Sequence, residues 1–278
     1  MKQGLVSILV VSYNAEKYIE KTLLSCLAQM YPDFEILVLD NASSDRTVEV
    51  IKSMNNSRIT LFEGRENIGP YDGLNFLLDK ARGEYVAIQD HDDIWFPEKL
   101  MKQVEFLESN LEFIACGTDT FYYFEKRKTL ILNTKKGATN FVDHTSLIFR
   151  NRGFRYDSKH TLADELFEKK TLSKSGKIGC IQDPLTVHRI KSDGTNLSSR
   201  RFSLNWRHIK DFFSVNDISF ISILYLFDLM FRKFFPESLL WFLRKKITLR
   251  NAEWTTLETF QEQFPEISLE VVKESGKY

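Results

Sequence analysis

The sequence predicts an α/β domain with a mixed, mostly parallel central sheet flanked by helices, followed by a helical C-terminal appendage. Three observations lead there. The chain has 278 residues, 43% hydrophobic and 27% charged, which is enough to bury a full core and too apolar for disorder. From Leu5 to Ile88, short β-branched runs alternate with longer helical patterns, the signature of successive βαβ units. Beyond residue 199 the composition changes, dividing the chain into residues 1–199 and 200–278.

Val6 to Val11 is an apolar, β-branched run and reads as the first strand. Glu16 to Gln29 follows with Ile19, Leu23, Leu24 and Leu27 at helical spacing, and Phe34 to Leu39 is the second strand, closed by Asp40. Ser44 and Asp45 are N-cap residues for a helix through Val48 and Ile51, and Ile59 to Phe62 is the third strand. Gly69 and Pro70 open the next helix, which ends at Gly83, and Glu84 to Ile88 is a fourth, buried strand. A helix beyond Pro97 runs through Leu107. Phe113–Phe124 and Leu130–Leu132 then read as antiparallel strands around the basic turn at residues 126–128, where the parallel register is expected to stop. A short helix over Leu162–Leu172 and two strands, Ile178–Ile181 and Leu185–Ile190, complete the domain.

Charge and cysteine usage narrow the function classes. The 38 basic and 38 acidic residues cancel, so the chain lacks the net positive field that phosphate neutralisation demands, and no nucleic-acid partner is expected. Cys26, Cys116 and Cys180 are widely separated and odd in number, which fits buried thiols in a reducing cytosol rather than disulfides or a zinc site. The opening Met1–Leu5 leads straight into a strand-like run, so no secretory signal is expected, and the longest apolar run, Ile218–Phe227, is too short to span a bilayer. Residues 200–250 nevertheless hold ten Lys or Arg against four Asp or Glu, together with twelve aromatics. Over 202–249 this pattern suits amphipathic helices lying peripherally on the inner face of the cytoplasmic membrane. Packing on the first domain, or on a second subunit in a homodimer, is the other reading of the same stretch, and the acidic segment 251–278 is a partner for it.

In an open α/β sheet, ligands bind beyond the carboxyl ends of the strands. The strands deliver Ser12-Tyr13-Asn14, Asp40-Asn41 and Asp90-His91-Asp92-Asp93 to that edge. Asp40 stands clear of the cap at Ser44 or Asp45, and its carboxylate can accept hydrogen bonds from a base or a ribose hydroxyl. Crowding the charges of residues 90–93 behind a buried strand is costly without a cation, and oxygen ligands beside a diphosphate suit Mg2+ or Mn2+.

Residues 6–14, 38–47, 83–95 and 97–100, in this order, resemble the signatures of family-two inverting glycosyltransferases of the bacterial polysaccharide type, which have the GT-A fold. The resemblance covers about the first 190 residues and divides them into a nucleotide-binding half, about 1–95, and an acceptor-binding half, about 96–199. It implies that Tyr13 and Asp40 hold the nucleotide base, with Ser12 and Asn14 beside them, and that Gly69 and Asn75 belong to the same nucleotide- and donor-binding set. It implies further that Asp90 faces the ribose or donor sugar, that Asp92 ligates Mn2+ or Mg2+, and that Asp93 supports the ligand. Many relatives place an arginine near the diphosphate between Asn67 and Asn75, whereas this chain has none there, leaving the Gly69-Pro70 amides to meet the phosphates. Asp164 matches the family's acidic catalytic base, although Ala163 replaces the Glu often found before it, and read without the family Asp164 and Glu165 are first-turn acids favoured by the helix dipole. His188 matches a position that reaches the metal or diphosphate, and His91 is expected to point away from the ion. The implied activity is metal-dependent transfer of a hexose or N-acetylhexosamine from a nucleotide-sugar donor, UDP foremost, to a growing surface glycan or lipid-linked acceptor. A dTDP-deoxysugar donor, or an inactive glycan-binding scaffold, is the alternative. Sugar nucleotidyl transfer is set aside because Ser12–Ala15 forms no glycine-rich triphosphate cradle.

Overall fold

The computed structural model describes residues 1–126, 128–134, 139, 141–191, 206–216 and 253–256. In chain order its elements are β1 (Lys2–Ser12), α1 (Ile19–Leu27), β2 (Phe34–Asp40), α2 (Thr47–Ser53), β3 (Ile59–Glu63), α3 (Pro70–Lys80) and β4 (Gly83–Asp90). They continue with β5 (Ile94–Trp95), α4 (Lys99–Ser109), β6 (Phe113–Phe124), β7 (Thr129–Asn133), β8 (Ile148–Arg150), α5 (Ala163–Leu166), β9 (Lys177–Ile190), α6 (Trp206–Val215) and β10 (Glu253–Thr256). Helix α5 passes directly into a wider π turn over Phe167–Leu172.

The sheet runs in the order β10-β7-β6-β8-β4-β1-β2-β3, with β9 and β5 attached through β6 and β9. Strands β3, β2, β1 and β4 are parallel, as the βαβ spacing predicts. All seven residues of β2 are buried, the state of a strand covered by helices on both faces. Alternation along β1 sends Val6, Ile8 and Val10 to the face packed by Ile19, Leu23 and Cys26 of α1 and Leu100, Val104 and Leu107 of α4. Leu9 points the other way, into the layer of Leu74, Leu77 and Leu78 of α3 and Phe167 and Leu172 beyond α5. Burying each such side chain contributes roughly 1.5–3 kcal/mol, so the two layers together hold the sheet's strand ends in fixed register.

The middle of the chain departs from expectation in two places. β8, three residues long and unrecognised in the sequence, lies antiparallel between β4 and β6. Parallel pairing also does not end at Phe113: β9 runs parallel to β6 from Phe113 to Phe124, because the long crossover through β7, β8 and α5 lets the chain return in the same direction. β9 is one strand rather than two. Pro184, which breaks the sequence pattern because it has no N–H to donate, sits where the β6–β9 register shifts opposite Asp119. The β6–β7 hairpin matches the reading. The three cysteines are buried and form no disulfide.

Two pieces of the C-terminal region join this body. β10 pairs antiparallel with β7. Helix α6 docks beside α5, where Asp211 Oδ2 accepts bonds from the Thr161 amide (3.1 Å) and hydroxyl (2.8 Å). Apart from 206–216, the basic aromatic stretch 202–249 lies outside the described residues, and among the described residues no helix is long and apolar enough to cross a membrane.

Candidate active site

The carboxyl ends of β1, β2 and β4 meet at one edge, and the residues that follow them build a linked rim. Asn14, in the left-handed region at φ 48°, donates its amide to Ser43 Oγ (2.9 Å) while its Oδ1 accepts the Ser44 amide (2.8 Å). Tyr13 projects outward with 44% of its surface exposed, available to stack on a planar ligand. Ser12 and Asp40 are turned inward. The Ser12 hydroxyl donates to the Leu39 carbonyl at 3.3 Å, and both Asp40 oxygens accept bonds from Ser43, one from its amide (2.9 Å) and one from its hydroxyl (2.5 Å). Asp40 thus shapes the loop that a nucleotide would approach. Asn41 holds the opposite wall by accepting the Ile68 amide (3.0 Å) and donating to Asn67 Oδ1 (3.0 Å) and the Gly69 carbonyl (3.2 Å). Gly69, at φ 83°, is the N-cap of α3 and opens onto a cleft of about 350 Å3 that is also bordered by Tyr71, His160 and Thr161. Asn75 is directed elsewhere, pairing through both ends of its amide with the backbone of Tyr156.

The acidic run forms a tight turn in which the Asp93 amide donates to the Asp90 carbonyl at 3.2 Å. Thr22 of α1 fixes the turn from below by donating to the carbonyls of His91 and Asp93, each at 3.0 Å. Each of its three carboxylates has a different nearest partner. Asp93, fully buried, accepts His188 Nδ1 and the Arg189 amide, both at 2.8 Å. Asp92 Oδ2 lies 2.8 Å from Lys191 Nζ, and Arg189 Nε donates to the Asp92 carbonyl at 2.9 Å. Asp90, partly buried at the end of β4, lies 3.9 Å from His144 Nδ1. His91 turns its Nδ1 toward the Val11 carbonyl at 3.2 Å.

These neighbours set the charge states. Burial raises the Asp90 carboxyl, but His144, His188 and His91 more than offset it and hold it at about 2. Asp92 is likewise depressed, burial being outweighed by His91 and Lys191. Burial works against the His188 imidazolium, yet Asp93, Asp90 and Asp92 lift it to about 10. His144 is raised in the same way by Asp90 and, beyond it, Asp164.

His144 is the residue that joins the two halves of the site. It enters on a 3-10 turn between β7 and β8, with one ring nitrogen toward Asp90 and the other 2.9 Å from the Tyr156 hydroxyl. Asp164, in the first turn of α5, adds to the negative charge that favours the protonated ring. Glu165 beside it is buried and bound to Lys169 at 2.8 Å, a structural pair. Nothing in the pattern Val142-Asp143-His144-Thr145 marks His144 in the sequence, because it belongs to no periodic element.

Asp90, Asp93 and His188 bring one ligand atom each within 4.8 Å of one another, a carboxylate–imidazole set suited to Mn2+ and, through its oxygens, to Mg2+. Asp92 lies outside that trio, with Lys191 on its carboxylate. The acidic turn therefore fits a divalent ion beside a diphosphate, provided the proton or ammonium already there gives way.

A family model for glycosyl transferase family 2 matches residues 7–169, more than half of the chain and every element from β1 to α5. The chain belongs to glycosyl transferase family 2. Curated relatives include the UDP-Glc:alpha-D-GlcNAc-diphosphoundecaprenol beta-1,3-glucosyltransferase WfaP of Escherichia coli, 34% identical over 44% of this chain and 47% of its own. A putative teichuronic acid biosynthesis glycosyltransferase, TuaG of Bacillus subtilis, is 40% identical over 37% of this chain and 42% of its own. The chain thus spans about half the length of the curated relatives it matches. Among solved structures, S. aureus TarS 1–349 in complex with UDP-GlcNAc superposes with a TM-score of 0.63 at 19% identity, covering 82% of this chain and 72% of that one. A Pyrobaculum calidifontis mannosyltransferase in complex with GDP-Man and Mn2+ superposes at 0.56 with 21% identity, covering 68% and 58%. These likenesses establish the GT-A fold.

Proposed function

We propose that this family 2 protein transfers a hexose or N-acetylhexosamine from a UDP-sugar, with inversion, to a hydroxyl of a surface glycan or lipid-linked acceptor, aided by Mn2+ or Mg2+. The observation that carries the reading is the acidic turn at the carboxyl end of β4, where Asp90, Asp93 and His188 bring ligand atoms within 4.8 Å of one another. The glucosyltransferase relative and the UDP-GlcNAc complex of TarS support the donor class. In this reading Tyr13 stacks on the uracil and the Asp40–Ser43 turn borders it, while amides at the start of α3 beyond Gly69 favour the diphosphate. Asp90 orients the donor sugar, and His144, anchored at Nε2 by the Tyr156 hydroxyl, presents its Nδ1 to Asp90. Asp164 accepts the acceptor hydroxyl's proton as that oxygen attacks the anomeric carbon and the bond to the diphosphate breaks, so the nucleoside diphosphate departs with the electron pair. A bound divalent ion would neutralise charge on the departing diphosphate. A lipid-linked acceptor places the enzyme at the inner face of the cytoplasmic membrane, for which residues 202–249 supply cations and aromatics.

The test is turnover of UDP-glucose and UDP-N-acetylglucosamine by wild type and Asp164→Asn. Loss of a general base lowers kcat by about 10²–10⁴. UDP affinity is expected to stay within about twofold, because Asp164 acts on the acceptor side and binding and chemistry separate in the two constants. A variant that keeps its full kcat removes Asp164 from the role.

A further inference from the structure

Lys191 follows the last residue of β9, and its side chain turns back into the site. Its Nζ lies 2.8 Å from Asp92 Oδ2, 3.4 Å from His91 Nε2 and 5.1 Å from the centre of the Tyr18 ring. Both side chains of the ion pair are only 10% exposed. The pair is also constrained from behind: Arg189 holds the Asp92 carbonyl, and Thr22 holds the carbonyls on either side of it. The backbone that carries Asp92 is thereby fixed, and the ammonium occupies the Oδ2 side of its carboxylate. A divalent cation reaching this carboxylate must displace the ammonium or bind next to a like charge in a largely desolvated site, where repulsion is poorly screened.

We propose that Lys191 is the resident cation of Asp92 and keeps that carboxylate from an ion seated at the neighbouring Asp90, Asp93 and His188, so that Asp92 joins the ion only when nucleotide enters the site with it. The diphosphate is the anion that draws the ammonium off. With UDP present, the diphosphate offers Lys191 another negative partner and Asp92 is released to the ion; without UDP, the ion must compete against an established pair. Lys191 is thereby a positioning residue that couples two ligands. The inference rests on the divalent-ion reading given above, and it adds the residue that makes ion binding depend on nucleotide.

The experiment is Mn2+ titration of the full chain, followed by electron paramagnetic resonance of the free ion, with and without UDP. Wild type is expected to bind Mn2+ at least about fivefold more tightly when UDP is present, the lower end of ordinary coupling between sites. Lys191→Gln is expected to bind Mn2+ about fivefold or more tightly than wild type in the absence of UDP, and to show a smaller gain on adding UDP. Lys191→Arg, which keeps the charge, should stay near wild type. Equal or weaker Mn2+ binding by Lys191→Gln overturns the competition while leaving the ion itself in place. Should that variant not fold, absence of UDP-induced tightening in wild type overturns the proposal equally. If neither protein binds Mn2+ and turnover of the UDP-sugar persists in chelator, the divalent-ion reading fails and takes this inference with it.

Discussion

Lys99 is fully buried, with Nζ 3.7 Å above the Trp95 ring and 2.8 Å from Gln103 Oε1. Burial lowers its pKa to about 7, against 10.5 for a free lysine. Between those two values the unfolded chain holds a proton that the folded one does not, so wild-type stability rises with pH across that window. Lys99→Met removes the buried charge and is expected to add about 1–3 kcal/mol of stability at or below pH 7. The gain should shrink as pH approaches 10.5, which denaturant melts at pH 7 and pH 10 would compare directly; a constant or negative difference rules the account out. Legibility at this scale follows position in the chain. The acidic residues 90–93 and Asp164 were visible because each directly follows a strand or opens a helix. His144 and Lys191 were not, since one sits on an irregular turn and the other is a single cation at a strand end. Ser12, Asp40 and Asn75 are expected at the nucleotide from the sequence, yet a polar residue at a strand end or in a helix beside it serves a ligand or its own surroundings alike, and here all three side chains bond to loop or strand atoms.

Among the elements, the parallel half was readable because helix and strand periods alternate without interruption from β1 to β4. β8 was not, since three residues are too few to show a period, and its place between β4 and β6 is fixed by long-range pairing alone. The segment leading into it depends on a close approach. A Cβ added at Gly117 of β6 would lie 2.5 Å from Val142 Cβ and 2.7 Å from Ser146 Oγ, on both sides of His144. Gly117→Ala is therefore expected to push the 142–146 segment outward, costing about 1–3 kcal/mol of stability. Because His144 rides on that segment, kcat should fall more than the affinity for UDP. A variant with a lowered melting temperature but unchanged kcat would show that His144 does not depend on this packing.

For the whole molecule, the fold class and the position of the ligand edge followed from chain order, since parallel strands deliver their carboxyl ends to one side. Net neutrality concealed a basic segment, 200–250, followed by an acidic one, 251–278, and of these only 206–216 and 253–256 fall within the described residues. A ligand that binds only the folded state stabilises it by about 2.7 kcal/mol at a hundred times its dissociation constant. With roughly 2–4 °C per kcal/mol at about this size, UDP with Mn2+ should raise the melting temperature by about 5–10 °C. GDP and dTDP should have smaller effects. A larger response to dTDP would redirect the donor to deoxysugars, and no response to any nucleotide would leave the scaffold alternative standing.

The partners of the acidic turn arrive late in the chain: Asp93 is bound by His188 and Arg189, and Asp92 by Lys191, nearly a hundred residues after the carboxylates themselves. During synthesis, the parallel strands from β1 to β4 leave the ribosome well before β9 does. A nascent chain halted before residue 188 carries its carboxylates close together with these three partners still to come. Like charge at the sheet edge then works against compaction of the first half until β9 pairs with β6. Translation products truncated on either side of residues 188–191 should therefore differ sharply in resistance to protease, although they differ by only a few residues in length.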